Sequence, residues 1–115
     1  MKDTLKTVFD ILDNKKAMDI RILDVSKVCS FTDYFVICSG ANEKHIQTLA
    51  EELEEKLKKQ AGLRPSHVEG AGNAEWVLMD YFDLVVHIMS LEAREFYELD
   101  RLWADGVALE IPNPK

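Results

Sequence analysis

No stretch of this 115-residue sequence approaches the roughly 20 consecutive apolar residues that cross a bilayer, and its charged amphipathic start lacks a secretory h-region. No membrane association is therefore expected. Two cysteines, Cys29 and Cys38, are too few for a disulfide framework. Without an export signal they read as reduced core residues rather than a bridge. No Pro/Gly/Ser-rich linker, repeat or low-complexity tract divides the chain, so it reads as one soluble domain. A hydrophobic fraction of 47% excludes disorder, and the length suffices to bury a core without metal or disulfide staples.

Basic residues are scarce in the second half. Residues 1–60 carry eleven Asp and Glu against ten Lys and Arg, whereas residues 61–115 carry ten against four. Phosphate binding relies on clustered Lys and Arg that release counterions, so little direct nucleic-acid contact is expected there. The acidity suits a basic protein partner, because complementary potentials speed encounter and fix orientation. The same acidity also serves solubility alone.

Strong chemical signatures are missing as well: no Walker loop, GxGxxG, CxxC pair or HExxH occurs. His45, His67 and His87 are scattered, and His87, mid-strand in VVHIM, reads as a packed or interface histidine. Ser39-Gly40, a small-residue turn between a strand and a helix, offers backbone N–H groups and a positive dipole end of the kind that holds phosphates, and reads more simply as a tight turn with no ligand. A nucleotidyltransferase enzyme would add two or three carboxylates on adjacent strands to hold metal ions. The candidates Asp24, Asp80 and Asp83 include no pair one residue apart on a single strand. No catalytic residue, metal or cofactor is assigned.

What is present is a regular alternation of elements. Leu5, Val8, Phe9 and Leu12 predict an amphipathic helix over residues 4–15. Asp19–Val25 reads as a strand, and Asp33–Ser39 as a central strand buried on both faces. A helix over residues 43–60, capped by Asn42, buries Ile46, Leu49, Ala50, Leu53 and Leu57 and turns its charged face to solvent. Gly62 ends it, Ser66–Glu69 is a short strand, and Gly70–Asn73 is a turn. A hairpin follows, Trp76–Met79 and Leu84–Met89 around Asp80–Asp83, running into a helix that starts near Ser90. The order α-β-β-α-β-β-β-α predicts an α+β fold, a mixed five-stranded β-sheet with flanking helices. The seven-residue link between the first two strands permits antiparallel pairing but not a parallel crossover. Residues 105–115 read as a tail whose Val107, Leu109 and Ile111 could add to an edge.

The hairpin and final helix, EWVLMDYFDLVVHIMSLEAREFYELDRLW (Glu75–Trp103), form the most informative block. Both hairpin faces are apolar, which implies either a docking surface or a sheet covered on both sides.

The segments TDYFVICSG (Thr32–Gly40), KHIQTLAEELEEKL (Lys44–Leu57), GLRPSHVEG (Gly62–Gly70), EWVLMDYFDLVVHIM (Glu75–Met89) and REFYELDRLW (Arg94–Trp103) together resemble the ribosomal silencing factors, the RsfS or Iojap family. The similarity spans about residues 3–104. It implies a nucleotidyltransferase-like fold without catalytic carboxylates, and hence no enzyme. It further implies binding to the large ribosomal subunit through ribosomal protein fourteen, occlusion of the small subunit, and lowered translation under nutrient limitation. A bacterial cytoplasmic setting and a homodimer in the free state are also expected. Some relatives act instead as large-subunit assembly factors, the alternative role. Many relatives carry DYGD at the hairpin turn, where this chain has Asp80-Tyr81-Phe82-Asp83. On this reading the partner-binding residues are Trp76, Leu78, Asp80, Tyr81, His87, Met89 and Tyr97. Trp76, Leu78, His87 and Met89 would share one outward surface, and Val77, Leu84, Val86 and Ile88 would form the core.

Overall fold

The computed structural model describes residues 2–70, 72, 75–97 and 107–109, and among these the periodicities become three helices and six strands. In chain order they are α1 (Lys2–Asn14), β1 (Met18–Asp24), β2 (Tyr34–Gly40), α2 (Glu43–Ala61), β3 (His67–Glu69), β4 (Trp76–Asp80), β5 (Leu84–Ser90), α3 (Leu91–Tyr97) and β6 (Val107–Leu109). One sheet joins the strands in the order β3-β4-β5-β2-β1-β6. Only β2 and β5 run parallel; the other pairs are antiparallel.

The α+β expectation and its element order hold, with β1 and β2 antiparallel as the short link requires. The count of five strands does not. Residues 107–109 add a sixth to the outer edge of β1, pairing Ile22 with Leu109 and Asp24 with Val107. An edge strand otherwise presents unpaired N–H and C=O groups, and a short apolar segment satisfies some of them.

Local sequence explains the frame. Asn42 caps α2, its side chain accepting from the His45 N–H at 2.9 Å, and Gly62 closes the helix in the left-handed conformation at φ 66°. Gly40 lets the end of β2 approach α2, since a Cβ there would stand 2.6 Å from Ile46 Cγ1. α3 begins directly after β5, with the Ser90 hydroxyl accepting from the Ala93 N–H at 3.0 Å.

The two faces of the sheet are covered unequally. On one, α1 and α2 bury a large core in which Leu5, Val8, Leu12, Ile46, Leu49, Leu53 and Leu57 meet Val36, Val77, Leu84, Val86 and Ile88. On the other, a smaller cluster joins Leu23, Val25, Cys29, Phe35, Ile37, Val85, Met89 and Ala93. Its cover is α3, which packs on β5 and β2, together with the connection between β1 and β2. Arg94 ties α3 down: Nη1 donates to the Asp19 carbonyl at 2.6 Å and to Ser39 Oγ at 3.3 Å. This cover stops at β5. The second face of β4 and β3 has no helix over it among the described residues.

Candidate docking surface

β4 alternates between the two faces. Val77 and Met79 are fully buried against α2, while Trp76, Leu78 and Asp80 point to the second face and are half-buried. β3 pairs Glu69 with Leu78 and His67 with Asp80, so exposed His67 and Glu69 border the same surface. The result is an apolar centre, Trp76 and Leu78, rimmed by Glu69 and Asp80. Sequence reasoning missed His67 and Glu69, although the alternation of β3 signals them once its register against β4 is known.

Trp76 lies over His87. Its Nε1 donates to His87 Nδ1 at 3.0 Å, and the ring centroids are 5.9 Å apart. His87 also meets the edge of Phe35, centroids 4.9 Å apart, and Phe35 meets exposed Phe31 at 6.2 Å. An aromatic row therefore crosses the second face from β4 to the connection before β2.

Trp76 pairs with Met89 and Leu78 with His87, which puts the four on one face of the sheet as expected. The exposure expected of the β5 members is not. His87 is 4% exposed and Met89 is fully buried, because Trp76 and α3 lie over them. They support the surface from beneath. Tyr81 is displaced further: it turns into the α2-side core at 6% exposure, away from the Trp76–Leu78 surface. Burial, with the Glu54 charge second, raises its hydroxyl well above the ordinary tyrosine range. Tyr97 ends α3, and its side chain lies outside the described residues. Val77, Leu84, Val86 and Ile88 are core, as expected. Of the seven partner-binding candidates, Trp76, Leu78 and Asp80 are the ones brought together at the surface.

The enzyme alternative meets a geometric obstacle. Asp24 pairs with Tyr34, and Asp80 with Val85, at one end of the sheet, whereas Ser39-Gly40 lies at the other. At about 3.3 Å per strand residue, the turn and these carboxylates are about 20 Å apart. One of the turn's donors is also occupied: the Ala41 N–H donates to His45 Nδ1 at 2.8 Å. Two clefts, of about 290 and 300 Å³, open between α1 and α2 and between α2 and β3–β4, on the helical side of the sheet. Among the described residues, no group of three or more His, Cys, Asp or Glu could hold a metal ion.

The family model described as ribosomal silencing factor during starvation matches residues 1–115. The chain belongs to the ribosomal silencing factor family. It is 34% identical over 110 residues to the ribosomal silencing factor RsfS of Halalkalibacterium halodurans, covering 96% of this chain and 93% of that protein. To RsfS of Bacillus subtilis it is 36% identical over 105 residues, covering 91% and 88%. A crystal structure of a protein from Chromobacterium violaceum superposes with a TM-score of 0.85 at 31% identity, covering 97% of this chain and 89% of that one. The family's role is regulatory: its members silence ribosomes.

Proposed function

We propose that this chain represses translation by docking on the large ribosomal subunit through ribosomal protein fourteen, where its bulk blocks joining of the small subunit. The observation that carries this reading is the half-buried Trp76–Leu78 pair on the helix-free face of β4, rimmed by carboxylates, in a ribosomal silencing factor. Apolar area at the centre supplies affinity, at about 25 cal/mol per Å² removed from water, and a few large anchors dominate it. The acidic rim meets Lys and Arg of a ribosomal protein and fixes the orientation.

Occlusion needs no bond-making. A body with a radius of gyration of 12.8 Å, held at the subunit interface, excludes the other subunit by occupying its space. The setting is a bacterial cytoplasm, and the free protein is a homodimer.

Leu78→Arg tests the reading. Leu78 is half-buried and makes no side-chain hydrogen bond, so the fold survives while a cation is placed against a basic partner. The variant is expected to lose at least about ten-fold in affinity for purified large subunits, the scale of a hot-spot residue, and to stop inhibiting subunit joining. Undiminished co-sedimentation by a folded Leu78→Arg protein would falsify the docking assignment.

A further inference from the structure

We propose that Phe82, at the tip of the β4–β5 turn, is a contact residue of this surface and receives a Lys or Arg side chain of the partner protein on its exposed ring. The inference rests on the docking reading of β4 and extends it past the strand.

Phe82 has φ 69°. A bulky residue in the left-handed region is an outlier, because its Cβ crowds the neighbouring carbonyl oxygen, and glycine or asparagine adopts that conformation with less strain. The conformation is held by contacts of the backbone and of Asp80. The Phe82 N–H donates to Asp80 Oδ1 at 2.8 Å, the Tyr81 N–H to the Leu84 carbonyl at 2.9 Å, and the Asp83 N–H to the Tyr81 carbonyl at 2.9 Å. None of these bonds uses the ring, which is 70% exposed. The fold therefore gains little from a phenyl group here and bears its strain. Strain of this kind gathers at sites that bind.

Two observations identify the occupant. Asp80 connects the turn to the docking face: its side chain is on the side of Trp76 and Leu78, and it fixes the Phe82 backbone. From Glu75 to Ser90 the chain carries three carboxylates, Glu75, Asp80 and Asp83, and neither Lys nor Arg. An aromatic face beside the carboxylates of Asp80 and Asp83 attracts a cation through both the ring quadrupole and net charge. The alkyl stem of Lys or Arg covers the ring as its charged head reaches the carboxylates.

The test titrates purified large subunits with the wild-type protein, Phe82→Gly and Phe82→Trp, and measures the Tm of each. Wild type is expected to bind. Phe82→Gly should bind about ten-fold or more weakly with a Tm no lower than wild type, while Phe82→Trp, which keeps an aromatic face, should bind nearly as tightly as wild type. A Phe82→Gly protein that binds like wild type overturns the role of Phe82 and leaves β4 docking standing. A large fall in its Tm also overturns it, because the ring would then serve the fold. Failure of wild type itself to bind overturns both readings.

Discussion

Trp76 serves the fold and the surface at once, and this decides which substitutions are informative. Its Nε1–H satisfies His87 Nδ1, and its ring keeps solvent from His87. Truncation to alanine would strip that cover and leave a buried acceptor wanting, a cost of about 1–3 kcal/mol, so lost binding in Trp76→Ala would mix two causes. Asp80→Lys has the same defect, since Asp80 Oδ1 holds the Phe82 N–H. Leu78 is free of both complications. Cys38 is a different residue-scale case. Burial pushes its thiol from the ordinary 9.0 up to about 12, with the Arg94 charge opposing only in part. The folded state thus holds this proton more tightly than the unfolded chain. Its contribution to stability is complete below about pH 9 and is lost as pH rises towards 12. In a Cys29→Ser background at pH 8, Cys38 should react with an aromatic disulfide reagent only as fast as the protein unfolds. Rapid stoichiometric labelling of the native protein would contradict its burial.

Among the elements, α3 is held on the second face of the sheet by tertiary contacts. Most helical stability in proteins comes from such packing rather than from the helix alone. The anchors of α3 are the Ser90 cap, the Ala93 contact in the second cluster, and Arg94, 10% exposed at its side chain, which reaches two neighbouring strands. The strongest of its bonds meets the Asp19 carbonyl at an irregularity in β1, where Asp19 itself has φ 46° and the register against β2 shifts. Arg94→Met should cost about 2–3 kcal/mol, the value of a hydrogen-bonded charge and its orphaned acceptors, read as a lower urea midpoint. Amide exchange should speed up in α3 while α2 is unaffected, and uniform loss of protection would show that the clamp is not local. The same comparison marks what the sequence makes legible. α2 was readable almost to the residue because its stripe, Asn42 and Gly62 are local signals. The alternation of β4 and β5 gave the two sides of the hairpin correctly. It could not say which side is open along which strand, because the cover over His87 and Met89 comes from α3 and from the β1–β2 connection. Nor could it place Tyr81, whose direction follows from the turn at Phe82 rather than from strand period. β6 depended on an edge left free by a distant register.

For the molecule as a whole, unequal cover of the sheet limits how many partners it can hold. One face is closed by α1 and α2; the other is closed over β2 and β5 and, among the described residues, open over β4 and β3. A stable interface takes about 800 Å² from each partner, a large share of what one open region offers on a chain with 6969 Å² of accessible surface. If the free protein is the proposed homodimer, a second copy and a ribosomal protein would compete for the same Trp76–Leu78 centre, and a twofold dimer would set the two Leu78 side chains near its axis. Dimerisation would then act as storage: dilution raises the monomeric fraction, and large subunits draw the dimer apart by binding monomer. Leu78→Cys, oxidised in the free protein, should give a covalent dimer that neither binds large subunits nor blocks subunit joining. Reduction should restore both activities to the level of the reduced variant that was never crosslinked, which separates the effect of the bond from that of the substitution. A locked dimer that still blocks subunit joining would show that self-association and ribosome docking use different surfaces.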